Sequence, residues 1–209
     1  MFLYEIKYNN IFDDKIFSLR RKIQDDRVPL YQHKDKKIFI LNGCNDINAW
    51  GAGFVLAVSD FCLKNHDGYV KSNVAKKQYH QWYAGNITSS FNEQKFELGN
   101  ILPVKVNNTY TIINMITQKG LFNNINNRIP TVDVNGNYYI EKCLYNVKEY
   151  FLKNNLFEDS IILSPKVGSG LGRGNWNAIR KLYLEYLIKH NINTFIIDPN
   201  VEKDGRYFL

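Results

Sequence analysis

Cysteine and histidine are scarce in this 209-residue chain, and no long apolar run is present, so several chemistries drop out at the start. Cys44, Cys62 and Cys143 lie far apart without Cys-x-x-Cys spacing, which argues against a structural zinc site or a disulfide framework and leaves buried thiols as the expectation. His33, His66, His80 and His190 are scattered, and each is read as structural rather than catalytic. No metal and no cofactor is expected. Nothing approaches the roughly 20 consecutive apolar residues of a membrane span. Met1–Asn10 alternates apolar and polar residues without a basic segment or a small-residue cleavage site, so a soluble cytoplasmic protein with no membrane partner is expected.

What is present is an ordinary folding composition, 44% hydrophobic, 22% charged and 14% aromatic, far from that of a disordered chain. The net charge of +7 invites a nucleic-acid reading. The basic clusters are diluted, however: Arg20-Arg21-Lys22 is flanked by Asp13, Asp14, Asp25 and Asp26, and Lys34, Lys36 and Lys37 surround Asp35. Solvated faces explain these better than binding stripes, and a mild positive charge equally suits a phosphorylated small molecule.

Apolar runs and helical periodicity alternate along the chain. Strands are expected at Phe2–Tyr8, Lys37–Gly43, Ile101–Val106, Tyr110–Ile116, Ser160–Val167 and, closing the chain, Thr194–Ile197. Helices are expected at Phe54–Leu63, Asn73–Tyr83, Tyr139–Leu152 and from about Asn175 to His190. Asn107-Asn108 supplies the turn of a hairpin. This order implies an α/β domain with helices on both faces of a mixed sheet. We read residues 1–209 as one domain, with an insertion containing a short helix at 14–35.

Two glycine-rich segments lie where a buried strand hands over to a helix: Asn42 to Phe54, with Gly51 and Gly53, and Pro165 to Trp176, with Gly168, Gly170, Gly172 and Gly174. Glycine lets backbone N–H groups approach an anion, and a following helix adds the positive end of its dipole. Neither segment is a P-loop or a dinucleotide fingerprint. Two such loops in one α/β domain can grip both sides of a diphosphate.

Four ordered strings carry a family resemblance: Cys44-Asn45-Asp46-Ile47-Asn48-Ala49-Trp50-Gly51-Ala52-Gly53-Phe54-Val55-Leu56-Ala57, then Tyr79-His80-Gln81-Trp82-Tyr83, then Asn114-Met115-Ile116-Thr117-Gln118, then Ser164-Pro165-Lys166-Val167-Gly168-Ser169-Gly170-Leu171 with Trp176 behind it. Together they resemble the macrodomain family, and within it the small stand-alone branch of Appr-1-p processing, ADP-ribose 1″-phosphate phosphatase-like proteins. The resemblance spans most of the chain outside 14–35 and the last ten or so residues. It implies a three-layer α/β/α sandwich with a mixed central sheet and a cleft for ADP-ribose or a derivative, carried on protein or nucleic acid. The implied ligand-binding residues are Asn10, Ile11, Asn42, Asn45, Trp50, Gly51, Ala52, Gly53, Phe54, Gln118, Gly168, Ser169, Gly170, Leu171, Gly172 and Asp198. Asn10 stands where the family usually has an acid for the adenine amino group, so the acceptor here is uncharged.

Catalytic layouts of the family do not carry over intact. Where one branch has a helix aspartate this chain has Phe54 and Val55; where another has a lysine it has Gln118, followed by Lys119, and that layout's partner aspartate is replaced by Gly172; the histidine of a third is replaced by Asn42. The implied catalytic set is therefore Asn45, Asp46 and Gln118, against the reading that Asp46 merely caps its loop. Two functions stay open: hydrolysis of an ADP-ribosyl derivative at the distal ribose, and non-catalytic reading or sequestration of an ADP-ribose-like signal nucleotide.

Overall fold

The structure is a computed structural model that describes residues 3–6, 11–12, 22–23, 26–27, 35–51, 53–68, 71–120, 137–169, 174–198 and 205–207. Its strands are β1 (Leu3–Ile6), β2 (Lys22–Ile23), β3 (Asp26–Arg27), β4 (Lys37–Asn45), β5 (Ile101–Lys105), β6 (Tyr110–Gln118), β7 (Ser160–Ser164), β8 (Thr194–Ile197) and β9 (Gly205–Tyr207). The helices are α1 (Phe54–Asn65), α2 (Val74–Tyr83), α3 (Tyr139–Lys153) and α4 (Trp176–Tyr186), and a short 3-10 turn, Ile188–His190, follows α4.

Seven strands form one mixed sheet in the order β5-β6-β4-β7-β8-β1-β9. β6, β4, β7, β8 and β1 run parallel, while β5 and β9 are antiparallel edges. Buried on both faces, the parallel strands need near-continuous apolar runs, which Lys37–Asn45 and Ser160–Ser164 supply. Alternate β4 residues serve opposite layers. Ile38, Ile40 and Cys44 join the core under α1 and α2, whereas Phe39 and Leu41 join the core under α3 and α4. The result is the expected three-layer α/β/α sandwich.

Within 14–35, Lys22–Ile23 and Asp26–Arg27 pair as the two-stranded ribbon β2-β3, and the short helix expected there falls outside the described residues. Two expectations need correction. Thr194–Ile197 does not close the sheet, because Gly205–Tyr207 returns antiparallel to β1 as a further edge strand. The last helix stops at Tyr186 rather than His190; Ile188–His190 winds more tightly, and Asn191 in the left-handed region (φ 62°) ends it. The expected hairpin is present: Asn107 Oδ1 accepts from the Thr109 and Tyr110 amides and closes the β5-β6 turn.

Among the described residues no helix is long and apolar enough to cross a membrane.

Candidate functional site

Parallel strands bring their carboxyl ends to one edge of the sheet. The segments leaving β1, β4, β6, β7 and β8 therefore share that edge, and each described site residue inferred from the sequence lies on one of them or at the strand end beside it, apart from Asn42. Crevices at such edges are where open α/β sheets bind ligands. The two glycine loops leave adjacent strands, β4 and β7. Gly43 keeps them close: a Cβ there would lie 2.7 Å from Val167 Cγ1 and 3.0 Å from Thr117 Oγ1.

Asn45 organises the first loop. A register jump places Cys44 opposite Ile116 but Asn45 opposite Gln118, a bulge of the kind that re-aims a side chain. Asn45 Oδ1 accepts from the Ile47 amide at 3.1 Å and the Ala49 amide at 3.0 Å, and its Nδ2 donates to the Ala49 carbonyl. The Tyr79 hydroxyl, from α2, donates to the Asn45 carbonyl at 2.8 Å and lies 3.1 Å from Oδ1. Burial above all, with the Asp46 carboxylate nearby, raises the Tyr79 pKa well above its ordinary value and keeps the hydroxyl a donor. His80 contacts Asn48 Oδ1, and Asn48 holds a left-handed backbone at φ 61°. Asp46 ties this loop to the end of β6: its amide donates to the Gln118 carbonyl, and its Oδ1 accepts from the Gly120 amide.

The loop ends at Gly53, whose φ of 74° favours glycine, and α1 begins there with no side chain among the described residues capping its amides and no acid in its first turn. Gly51 and Gly53 are exposed, and Phe54 is half-buried. Ile11 is buried in the core beside α1, where its neighbour Phe12 stacks on Phe54 and Phe61.

The second loop is built differently. Its helix, α4, is capped by Asn175, whose Oδ1 accepts from the Asn177 and Ala178 amides. Lys166 starts the loop, its carbonyl accepting from the Ser169 amide and hydroxyl, while the Gly168 carbonyl accepts from Gly174. Gly168 has φ 81°.

Three expected ligand contacts are otherwise engaged. Asn42 is 0% exposed and donates to Asn114 Oδ1 at 2.8 Å, deep under α2, where Asn114 in turn donates to the Ala75 carbonyl. Its own Oδ1 has no hydrogen-bond partner among the described residues. As a mid-strand residue facing a helix, it is removed from the loop edge. Trp50 is buried, packs on Tyr79 and donates its indole N–H to Ser59 at 2.9 Å, so it braces the loop from below. Asp198 is buried with its Oδ2 2.7 Å from the Lys166 ammonium. Asn10, Ala52, Gly170, Leu171 and Gly172 lie outside the described residues.

The thiols offer no nucleophile. All three are buried; burial pushes Cys62 up to about 11 and raises Cys44 and Cys143 further. Among the described residues no group of three His, Cys, Asp or Glu side chains is placed to hold a metal ion. Sequence reasoning quoted Tyr79 and Lys166 without giving them a role and passed over Glu5, although its alternation with Leu3 in β1 marks an inward-facing acid.

No protein-family model matches the chain, and no curated protein does. Solved structures do. A protein of unknown function from Bacteroides thetaiotaomicron is 24% identical, with 94% of this chain and 97% of that one covered and a TM-score of 0.60. A macrodomain protein from Streptomyces coelicolor is also 24% identical over 78% of this chain and 88% of that one, with a TM-score of 0.55. The chain has the macrodomain fold. Thermosipho africanus DarTG, solved in complex with ADP-ribose, is 17% identical, with 79% of this chain and 39% of that one covered and a TM-score of 0.53. In this macrodomain fold the two glycine loops leave neighbouring parallel strands, β4 and β7.

Proposed function

We propose that this chain is a macrodomain of the stand-alone Appr-1-p processing type, that its carboxyl edge binds ADP-ribose, and that it hydrolyses an ADP-ribosyl derivative at the distal ribose. One observation carries the binding: the exposed Gly51 and Gly53 lead into α1, whose first amides carry no side-chain cap among the described residues, beside the strand that leads to the second glycine loop. Uncapped helix amides and their dipole favour an anion. The likeness in fold to an ADP-ribose complex supports the same ligand.

For hydrolysis, Asp46 and Gln118 adjoin through the Asp46 amide and Gln118 carbonyl. A carboxylate has about four lone-pair sites, and the Gly120 amide engages one Asp46 oxygen. In our reading Asp46 takes a proton from a water whose oxygen bonds to the reacting carbon or phosphorus as that atom's bond to the departing oxygen breaks; the departing oxygen takes its proton from solvent, and Gln118 orients the ribose or the water. Asn45 acts by holding the loop, since its amide oxygen already accepts from two backbone N–H groups.

The second reading, a non-catalytic reader, is favoured by that same engagement of Asn45 and Asp46 in loop structure. Calorimetry with ADP-ribose, followed by product analysis on ADP-ribose 1″-phosphate and on ADP-ribosylated DNA and protein, separates the two. Binding with turnover supports the hydrolase, binding without turnover the reader, and no binding removes both. Cytoplasmic location and a macromolecular carrier belong to this proposal as well.

A further inference from the structure

The second glycine loop begins and ends on one buried carboxylate. Glu5 of β1 is 3% exposed, on the same face of its strand as Leu3, which belongs to the core under α3 and α4. At the start of the loop, the Lys166 ammonium lies 3.9 Å from Glu5 Oε2 and 2.7 Å from Asp198 Oδ2. At its end, Trp176 donates its indole N–H to Glu5 Oε1 at 2.8 Å, and Arg180, one turn further along α4, stands 3.6 Å from the same oxygen. The two feet also meet each other, with the Lys166 ammonium 5.5 Å over the Trp176 ring.

A carboxylate removed from water is costly unless it is both charge-paired and hydrogen-bonded, so its partners are held to a narrow geometry. Glu5 draws those partners from both ends of a single loop. We propose that Glu5 is a positioning residue: it clamps both feet of the second glycine loop and so fixes the loop's span against the ligand's diphosphate, which Glu5 itself does not touch. The ligand in this inference rests on the ADP-ribose reading; the clamp rests on the contacts above.

Two readouts test it, amide exchange at Ser169 and Gly174 by NMR and ADP-ribose affinity by calorimetry, on the full chain. Glu5→Gln keeps size and an acceptor for the indole while removing the charge. Trp176→Phe keeps an aromatic ring against Tyr183, whose centroid lies 5.7 Å away, and removes the N–H. Each substitution is expected to speed exchange at both amides and to weaken ADP-ribose binding about tenfold, the size of one coupled contact. The double variant should lose little more than either single one, because both cut the same clamp. Additive losses of melting temperature with exchange and affinity unchanged would overturn the proposal, and so would faster exchange with unchanged affinity, which breaks the link to the ligand. A wild type that binds no ADP-ribose would overturn the functional reading alone, and the exchange measurements would then decide the clamp. Should Glu5→Gln not fold, Trp176→Phe carries the same comparison.

Discussion

Helix α1 begins at Gly53 with no side-chain cap on its first amides among the described residues, whereas α4 begins at Asn175, whose amide oxygen already accepts from two of its amides. The scaffolding differs as well. Hydrogen bonds from Asn45, Tyr79, His80 and Trp50, with one carboxylate bond from Asp46 to the Gly120 amide, hold the first loop, and ion pairs from Lys166 to Glu5 and Asp198 hold the second. Both segments read alike as glycine-rich strand-to-helix turns, yet among the described residues the first leads to a helix start without a side-chain cap and the second to a capped one. Work on the two loops should therefore separate affinity from stability.

The largest effect is expected at Gly51. A Cβ there meets nothing within 4 Å among the described residues, so Gly51→Val is expected to leave the fold intact while its branches obstruct the approach of an anion to the loop. Losing two or three charge-assisted hydrogen bonds weakens ADP-ribose by at least about a hundredfold, read by calorimetry. The counterpart is Gly174→Ala in the second loop, whose Cβ would lie 2.6 Å from the Gly168 carbonyl oxygen. That backbone must shift, so melting temperature should fall first. Undiminished affinity in a folded Gly51→Val protein would remove the first loop from the site.

Next in size are the two neighbours at the end of β4. Asn45→Ala removes a side chain bonded to Ile47, Ala49 and Tyr79 and should lower stability and affinity together. Asp46→Ala should instead lower kcat by about 10²-fold with affinity changed far less, the mark of a group acting in the transition state. Equal kcat in Asp46→Ala and wild type would leave Asp46 as a loop staple.

How far the fold was legible follows from what alternation and periodicity encode. β4, β7 and all four helices declare themselves by apolar pattern, and the glycines mark both loops. Partnership is another matter. Asn42 and Asn45 stand three apart in one strand, yet one faces the buried underside of α2 and the other turns at a bulge into the loop, a difference set by cross-strand register and invisible in either residue's type. Glu5 meets its partners only when β1 pairs beside β8 and α4 closes over them, contacts spanning most of the chain length.

A smaller effect separates the helix termini. Asn175→Ala removes the α4 cap, which costs about 1 kcal/mol of stability. A thermal melt should show it as a modest fall. Because α4 is not the anion-binding terminus in this reading, ADP-ribose affinity should stay within about twofold of wild type, less than half a kcal/mol. A hundredfold loss of affinity would shift the anion from α1 to α4 and reverse the comparison.

The smallest expected effect is acid sensitivity confined to the first loop. His80 is held below its ordinary value near 6.5 by burial first and by the neighbouring Lys76 second, so the folded protein favours the neutral ring bonded to Asn48. A depressed pKa means that the unfolded chain takes up the proton first as pH falls. The contribution of neutral His80 is thus present above the unfolded value and is lost as pH drops through the folded one. Protection of the Ile47 and Ala49 amides, the donors to Asn45, measured against the intrinsic exchange rate at each pH, should fall as pH drops below about 6.5, and His80→Gln should flatten that dependence. The described anchors of the second loop, Glu5, Lys166, Trp176, Arg180 and Asp198, include no histidine, so exchange at Ser169 and Gly174 should show no His80-dependent component. Equal sensitivity of both loops in the wild type, abolished in both by His80→Gln, would mean that they open as one unit and that their separate anchoring has no dynamic consequence.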